Sequence, residues 1–577
     1  MRKGRICSCH KFNKTNFLTY LMESIVKLLM KEFNLSYEQA EILLEVPPSE
    51  EMGDFAFPCF SLAKEQKRSP LEIAQEFAEK IRTELPEGVS NVDFKGAYVN
   101  FFIDKKMLAE KVFGKVFGVM FGSIDLAKGK TRLIEYSQPN THKAFHIGHI
   151  RGTSLGESLA RIFKACGEKV TQMNYSGDTG MHIAKWIWGY KNFHGDEELR
   201  EDEKWIANIY VDSVRRLEGN EDGQREVEEI NRKIESKEDE EINDLWKRTR
   251  EASIMSWAKI YSELGANFDV SVFESEVEDE ARKEAQALLE KGIAKKDDAI
   301  FMDLKKYDLG VWVLLRKDGS VLYSAKDIAL AKRKFSKYKS DKYLITIGSE
   351  QEMHFRQLRK TLNLMGLEKE SEKYEVLPFG MIRFPDGKMS SRTGNNILYS
   401  DFSSEVCRIA KDGLKSRGYK NDDIDEVALK IAIASIKYSM LKQAPRKNII
   451  FDKNAEVSFE GDTGPYLLYS YARANSIIKK VQSDASLEIF DLKEQESKLL
   501  KKIDSFEDVL KRAYVDMAPN LIANYCLELC QMFNEFYHAC PVLGSKEQGF
   551  RLKLVDAFRI TLQKALDLLG IETVEEM

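Results

Sequence analysis

The sequence of 577 residues predicts an α/β protein in which a central parallel sheet lies between an N-terminal α+β module and a C-terminal all-α domain. Three observations lead to this fold class. The length is enough for about two to four domains. A strand, a helix and a second strand follow one another from 132 to 174, which is the βαβ pattern of a parallel sheet. After about residue 425, helical periodicity dominates to the C-terminus.

The composition is typical of a globular protein. Hydrophobic residues make up 43% and charged residues 31% of the chain, and no run of 18 apolar residues occurs, so we expect no membrane partner. The net charge of −5 gives no overall positive field, so a nucleic acid would have to be held by local patches. The eight cysteines lack C-x-x-C spacing, which is typical of reduced thiols and leads us to expect a cytoplasmic protein.

The N-terminal part predicts the α+β module. Ser69, Pro70 and Glu72 supply an N-cap, a proline at the first helical position and a capping-box glutamate, so we expect a helix to begin at Pro70. Short β-like runs follow at 92–94 and 98–103.

The central domain is expected to hold its ligand at one edge of the sheet. Strands at 132–137 and 169–174 flank an apolar-periodic helix, and the ligand crevice of such a unit lies at the carboxyl ends of the strands. The sheet pattern resumes at 342–347. The charged segment 195–250 is interpreted as an inserted, solvated helical hairpin in preference to a dedicated binding face.

Three of the eight histidines, His142, His146 and His149, fall within eight positions, after the first strand. With Lys143 they lie at a helix N-terminus, whose free N–H groups favour an anion such as a triphosphate. A three-histidine metal site is the alternative, but no carboxylate or cysteine joins the group. The Cys-Ser-Cys-His segment 7–10 lacks a second ligand pair, so we expect no metal fixed by protein side chains. The chain has neither a Walker-type loop nor a strand-linked G-x-G-x-x-G.

Two segments carry a family resemblance. Residues 137–149 end in His-Ile-Gly-His and resemble the first signature of class I aminoacyl-tRNA synthetases. Residues 387–392, Gly-Lys-Met-Ser-Ser-Arg, resemble the K-M-S-K-S loop of the same class and lie about 240 positions later. The two signatures occur in the order of the family.

Within this class the chain resembles arginyl-tRNA synthetases over essentially its whole length, with residues 1–21 outside the resemblance. The similar blocks lie at 53–57, 134–140, 173–178, 322–327, 348–354 and 464–473. The resemblance implies a Rossmann-like catalytic domain at 111–455, with a helical insertion around 195–300. It also implies a tRNA-contacting module within 1–110 and a helical anticodon-binding domain at 456–577.

The resemblance also implies the reaction. ATP converts the carboxylate of L-arginine into an adenylate with loss of pyrophosphate, and the arginyl group then passes to the terminal ribose of the tRNA for arginine, releasing AMP. The expected partners are L-arginine, that tRNA, and ATP with Mg²⁺ as a substrate. We expect no prosthetic group, and we expect a monomer.

The resemblance assigns three groups of site residues. Catalysis and ATP binding fall to His146, His149, Lys143 and Lys388, and ATP binding also to Gly148, Met389, Ser390 and Ser391. Arginine binding falls to Glu135, Asn140, Tyr323, Asp327 and Gln351, with Asp327 and Tyr323 at the guanidinium. Anticodon contact falls to Tyr466, Tyr469 and Arg473.

Three points remain open at this stage. Tyr323 and Asp327, four positions apart, would also fit a merely shared helix face. Core packing explains Tyr466 and Tyr469 as well as base stacking does. His146, His149 and Lys388 are expected to carry the positive charge, but Ser391 stands where the loop has its second lysine, and either Lys143 or Arg392 would replace it.

Two other functions fit less well. A catalytically silent tRNA-binding paralogue would have little reason to retain both signatures and the pocket. A tRNA-independent ligase on the same fold would usually lack an anticodon domain, whereas this chain has about 110 residues that resemble one.

Overall fold

The computed structural model describes residues 16–385, 397–481 and 491–577. Its N-terminal part packs five helices around an antiparallel sheet of order β1-β3-β2. The elements are α1 (Phe17–Phe33), α2 (Tyr37–Leu43), β1 (Phe55–Pro58), α3 (Phe60–Gln66), α4 (Pro70–Ile81), β2 (Val89–Lys95), β3 (Tyr98–Ile103) and α5 (Lys105–Val116). Helix α4 begins at Pro70 as predicted. The Ser69 side chain forms no capping hydrogen bond, so the predicted capping box is wrong.

The predicted parallel sheet is confirmed in the centre of the chain. It has five strands in the order β11-β10-β4-β5-β6, and every neighbouring pair is parallel. The strands are β4 (Thr131–Glu135), β5 (Lys169–Ser176), β6 (Val270–Phe273), β10 (Lys342–Gly348) and β11 (Tyr374–Phe379). Helix α6 (Ile147–Ala165) connects β4 to β5. The central strands are mostly buried, as expected for a parallel sheet covered on both faces.

Four α-helices and a short π-helix (Tyr190–His194) lie between β5 and β6 in the chain. The α-helices are α7 (Met181–Gly189), α8 (Glu203–Arg216), α9 (Glu221–Ser236) and α10 (Glu240–Glu263). Because α8, α9 and α10 all fall within or across 195–250, the predicted two-helix hairpin is wrong. The insertion has its own apolar cluster, which includes Trp186, Trp205 and Ile209. It is therefore a packed helical unit with a core of its own and not a solvent-exposed hairpin.

The chain between β6 and β11 contains strand β10, four α-helices and a second, smaller sheet. It forms α11 (Glu274–Glu290), α12 (Tyr323–Lys337), α13 (Glu352–Leu364) and α14 (Glu368–Glu372). A separate antiparallel sheet consists of β7 (Lys295–Lys296), β8 (Ile300–Asp303) and β9 (Val311–Leu315).

The described part of the chain after β11 is mainly helical. It contains β12 (Ile382–Arg383), α15 (Tyr399–Ser416), α16 (Ile424–Leu441), β13 (Ile449–Ile450), α17 (Lys453–Glu456), α18 (Gly464–Lys479), α19 (Glu494–Asp504), α20 (Phe506–Asp516), α21 (Asn520–Ala539) and α22 (Gln548–Leu568). The Asp504 carboxylate accepts hydrogen bonds from the first N–H groups of α1, so the N-terminal module and the C-terminal helices are docked together. Among the residues described, no helix combines the length and the hydrophobicity that a membrane crossing requires.

Helix α6 is buried along almost its whole length. Gly156 packs against the Tyr136 side chain so closely that a Cβ atom there would overlap the base of the ring. The Arg151 side chain, 1% exposed, donates hydrogen bonds to the carbonyls of Gly380, Pro445 and Lys447, on segments next to β12 and β13. Helix α6 therefore fixes the strand that leads into residues 386–396.

We predict that Gly156→Ala destabilises the protein by about 1–3 kcal/mol, because the new methyl group has no room beside Tyr136. Gly114→Ala is the matched control. Gly114 lies in α5 with no atom within 4 Å of the position that the new methyl group would take, and alanine there favours the helix by about 1 kcal/mol. Thermal unfolding followed by circular dichroism measures both. Equal melting temperatures for the two variants would contradict the packing described for α6.

Candidate active site

A cleft of about 480 Å³ opens at the carboxyl ends of β4, β5 and β10. This is the edge at which parallel α/β sheets bind their ligands. The cleft brings together eight of the residues predicted from the sequence, and it adds others that were not predicted. The predicted ones are Glu135, Asn140, His146, Gly148, His149, Tyr323, Asp327 and Gln351.

The loop between β4 and α6 is pinned to the end of β5. The Thr141 N–H donates to the Gly177 carbonyl at 2.8 Å, and the Asn140 side chain occupies the space that a Cβ atom of Gly177 would need. Ser137 and Gln138 have φ angles of +77° and +50°. Non-glycine residues adopt this left-handed conformation at a cost, and such strain often occurs at functional sites.

His146 and His149 cap the N-terminus of α6 reciprocally. The Gly148 N–H donates to His146 Nδ1 at 3.2 Å, and the His146 N–H donates to His149 Nδ1 at 3.1 Å. Their rings stack with centroids 3.9 Å apart. Because each Nδ1 accepts a backbone hydrogen bond, a neutral ring carries its proton on Nε2 and remains a donor.

The two imidazoles do not carry the positive charge that the sequence analysis expected. Burial and the nearby Lys143 ammonium lower the pKa of His146 to about 4. Burial, His146 and Lys143 lower the pKa of His149 well below its ordinary value. Both rings are therefore neutral hydrogen-bond donors near pH 7 before a ligand binds.

Lys143 is the cation next to this pair. Its ammonium lies 5.7 Å from the Tyr210 ring centroid, and Lys143 is absent from the cleft lining. Burial lowers the pKa of the ammonium, Glu274 opposes that shift and Lys185 adds to it. Lys143 lies close enough to His146 and His149 to lower the pKa of both.

His142 does not join the predicted anion site. It is fully buried, with Nδ1 3.0 Å from Thr141 Oγ1 and Nε2 2.8 Å from Thr249 Oγ1. Burial, with Arg250 adding to it, lowers the pKa of His142 to about 3. The ring joins the β4–α6 loop to the insertion and has a structural role.

The carboxylates Glu135, Glu274 and Asp327 also line the cleft. Asp327 Oδ2 lies 2.5 Å from His354 Nε2, and Glu274 Oε2 lies 3.0 Å from the Lys326 ammonium. Glu135 is buried and ion-paired with Lys334, whose ammonium also donates to the Tyr374 hydroxyl at 3.0 Å. The Glu135 carboxylate is thus ion-paired with a buried lysine, whereas the hydrogen-bond partner of Asp327 is the His354 ring.

Comparisons with known proteins agree with this geometry. The family model of the catalytic domain of tRNA synthetases class I (R) matches residues 116–453, the DALR anticodon binding domain matches 467–577 and the arginyl tRNA synthetase N terminal domain matches 19–103. The arginine–tRNA ligases of Clostridium perfringens and Clostridium acetobutylicum are each 33% identical over 96% of this chain and 99% of their own length. The chain belongs to the arginyl-tRNA synthetase family.

Solved structures of the family have the same fold. The Thermus thermophilus arginyl-tRNA synthetase is 26% identical with a TM-score of 0.76, and the match covers 97% of this chain and 100% of that one. The arginyl-tRNA synthetase of Plasmodium falciparum, 20% identical, has a TM-score of 0.71 over 98% of this chain and 100% of its own. The resemblance predicted from the sequence and the Rossmann-like fold class are both confirmed.

Several residues in or beside the cleft were not predicted as site residues from the sequence, and four of them bear on its chemistry. They are Tyr175, Glu274, Lys326 and His354. Glu274 directly follows β6, so the rule that ligands meet the carboxyl ends of strands would have selected it. The Tyr175 hydroxyl has no hydrogen-bond partner among the described residues, and burial, with Glu274 and Asp327 adding to it, raises its pKa well above the ordinary value.

The other predicted site residues lie elsewhere. Tyr466, Tyr469 and Arg473 are on α18, away from the cleft. The Arg473 guanidinium lies 4.6 Å from the Tyr469 ring centroid and 5.4 Å from that of Tyr537. Lys388, Met389, Ser390, Ser391 and Arg392 lie outside the described residues.

We predict that the stability of the protein falls as the pH falls below 6.5, in part because of His142. Its folded pKa of about 3 lies below the unfolded value of about 6.5, so the unfolded state binds the proton first. Going from pH 7 to pH 5, this ring alone removes about 2 kcal/mol of unfolding free energy. Denaturant unfolding followed by tryptophan fluorescence is an apt measurement, because Trp186 packs on His142.

His142→Gln should reduce the difference between pH 7 and pH 5 by that amount, since it removes the titrating group. His538→Gln, which changes an exposed ring on α21, is the control and should leave the difference unchanged. The same pH dependence in His142→Gln and the unmodified protein would contradict a buried neutral His142.

Proposed function

We propose that the chain is an arginine–tRNA ligase in which the described cleft activates arginine. A carboxylate oxygen of L-arginine attacks the α-phosphorus of ATP, the bond to the β-phosphate oxygen breaks, and pyrophosphate leaves. The arginyl group of the adenylate then passes to the terminal ribose of tRNA, and AMP leaves. One observation carries this proposal: the same cleft is lined by the phosphate donors His146, Gly148 and His149 and by the carboxylates Glu135, Glu274 and Asp327, which suit a cation.

The arginine guanidinium would lie against Asp327 and Glu274. Asp327 is 16% exposed, and no lysine or arginine of the described residues pairs with it, so its carboxylate is available to a planar cation. Glu274 is shared with Lys326, so it contributes a hydrogen-bond acceptor but less net charge. Tyr323, 60% exposed at the N-terminus of α12, would close over the side chain.

The remaining arginine contacts would hold the amino-acid end. Glu135, Asn140 and Gln351 line the cleft. The Glu135 carboxylate is already ion-paired with Lys334 and accepts a hydrogen bond from the Gln138 amide. Its role would therefore be to accept a hydrogen bond from the substrate ammonium, and it would contribute little net charge. Asn140 and Gln351 supply neutral donors and acceptors for the ammonium and the carboxylate.

The phosphates of ATP would meet the N-terminus of α6. His146 and His149 would donate from Nε2, and Gly148 allows the phosphates to approach the backbone. Donors placed where charge develops in the transition state contribute most of the catalysis in such a reaction. Lys143 and Lys388 would supply positive charge for the phosphates, and Met389, Ser390 and Ser391 would also contact ATP.

We further propose that Mg²⁺ enters with ATP and is held by its phosphate oxygens, where it offsets their charge. We also propose that no prosthetic group takes part, that the enzyme acts as a monomer, and that it works in the cytoplasm. The last point is supported by the free cysteines of the described residues.

The anticodon would bind on α18. The Asn534 amide donates to the Tyr466 hydroxyl at 2.7 Å and accepts from Arg473 at 2.7 Å, so this part of α18 is held rigidly against α21. Tyr469 and Arg473 form a stacked pair that is half-buried. A splayed base would extend this stack.

A charging assay with total tRNA and each amino acid tests the proposed function. We predict that arginine is charged and that lysine and citrulline are rejected by about 10⁴-fold, because each leaves buried polar groups of the site unmatched. Asp327→Asn should raise the KM for arginine while changing the KM for ATP little. Charging of lysine within tenfold of arginine would refute the assignment.

We predict that His149→Ala lowers the rate of ATP–pyrophosphate exchange by about 10²–10³, the effect of losing one transition-state donor. Binding of tRNA should change little. The missing loop lysine is tested in the same assay: loss of exchange in Lys143→Ala with activity retained in Arg392→Ala would place the compensating charge at Lys143. Exchange at the parental rate in His149→Ala would contradict the proposed phosphate site.

We predict that Arg473→Ala raises the KM for tRNA about tenfold, since stacking on one base contributes about 1–3 kcal/mol. Lys479→Ala removes a charge from the same helix without disturbing a ring stack and should have a smaller effect. Point variants are preferable to deletion of the C-terminal helical domain. The helices of that domain share one hydrophobic core with α6, so deletion would expose this core. Equal losses in both variants would show that charge alone, and not stacking, binds the tRNA here.

A further inference from the structure

His354 lines the cleft, but it has no role in the arginine and ATP contacts proposed so far. It belongs to the first turn of α13, its side chain is 13% exposed, and it lines the cleft together with Tyr323 and Asp327. The sequence block in which it occurs, 348–354, supplied Gln351 to the predicted site and nothing else.

The hydrogen bonds of the ring determine its tautomer. The Trp312 indole N–H, on β9, donates to His354 Nδ1 at 3.1 Å. An indole nitrogen only donates, so Nδ1 must accept and carries no proton. The proton of the neutral ring is therefore assigned to Nε2, which donates to Asp327 Oδ2 at 2.5 Å.

The same ring also contacts Tyr323. The centroids of His354 and Tyr323 are 4.8 Å apart, and those of His354 and Trp312 are 5.1 Å apart. Tyr323 and Asp327 are one turn apart on α12, so a single imidazole from α13 supports both residues of the expected guanidinium site.

This arrangement leaves Asp327 oriented and charged. The hydrogen bond uses Oδ2, while Oδ1 has no hydrogen-bond partner in the part of the chain that the structure describes. A neutral donor fixes the plane of the carboxylate and leaves its negative charge in place. A paired lysine would cancel that charge. Planar, oriented carboxylates are what a guanidinium needs for two parallel hydrogen bonds.

We propose that His354, held by Trp312, is a positioning residue for arginine recognition and acts through Asp327. The inference rests on the proposed function, because it takes the cation in the cleft to be the guanidinium of arginine. Its specific content is that the Nε2–H donor of residue 354 sets the affinity for arginine but not for ATP.

The first test compares His354→Leu, which removes the donor, with His354→Gln, whose amide nitrogen restores one at about the same distance. ATP–pyrophosphate exchange with tRNA present gives the KM for each substrate and kcat. We expect His354→Leu to raise the KM for arginine about 10- to 100-fold, the range for losing a hydrogen bond to a charged group, with the KM for ATP within about twofold. His354→Gln should recover most of the loss.

His194→Leu is the matched control. His194 lies in the insertion, with ring nitrogens 2.7 Å from Glu197 and 3.3 Å from Asp212, so it is also a histidine bonded to carboxylates. It should leave the KM for arginine unchanged. Trp312→Phe, which frees the ring while keeping residue 354, should raise the KM for arginine several-fold and provides the test if His354→Leu fails to fold.

A double-mutant cycle with Asp327→Asn shows whether His354 acts through that carboxylate. We expect His354→Leu to have little further effect on the KM for arginine in the Asp327→Asn background. Additive effects, or a KM for arginine within threefold of the parent in both His354→Leu and Trp312→Phe, would overturn the inference. Failure of the proposed function is distinguishable, since the unmodified chain would then show no arginine-dependent exchange.

Discussion

The burial of helix α6 is the constraint on which the rest of the structure depends. The N-terminus of this helix presents His146 and His149 to the cleft. In its second half the Ser158 hydroxyl donates to the Leu568 carbonyl of the C-terminal helices at 2.8 Å. Between them, Arg151 donates to carbonyls beside β12 and β13. A buried guanidinium is costly unless every donor is satisfied, so these contacts are tightly specified. Burial lowers the pKa of Arg151 to about 10, which still leaves it charged near pH 7.

The cleft contains two kinds of polar group, neutral hydrogen-bond donors and carboxylates. At the end of α6 the donors are neutral imidazoles, which accommodate a polyanion without repelling each other when the cleft is empty. Around α12 the carboxylates differ in how far the protein has neutralised them: Glu135 by Lys334, Glu274 in part by Lys326, and Asp327 by a neutral ring alone. In the function proposed above, this gradient directs the guanidinium of arginine to Asp327. Recognition and chemistry then occupy adjacent ends of the same strands.

Much of this was predictable from the sequence, and the exceptions have physical reasons. The parallel sheet and the helical C-terminal part follow from periodicity, and the cleft residues Asn140, His146, His149, Tyr323 and Asp327 follow from signatures. The burial and pairing of His142 and Glu135 were not predictable from the sequence. Their partners, Thr249 and Lys334, lie about 107 and 199 positions away in the chain. The neutrality of His146 likewise depends on burial, which spacing does not encode. His354 was missed because its role arises only when β9, α12 and α13 converge.

The central claim is that helix α6 aligns the proposed phosphate site at His146 and His149 with strand β12, which leads into the second signature. The variant Arg151→Lys tests this claim most directly. Lysine keeps the charge but loses the planar fork that reaches several carbonyls. Exchange of ATP and pyrophosphate, measured with tRNA present and at a temperature where the variant is folded, should slow by about tenfold or more, because small displacements of reacting groups are costly. The KM for arginine should change less than about threefold, since α12 and α13 hold that site. A parental exchange rate in a variant of lowered melting temperature would contradict the account.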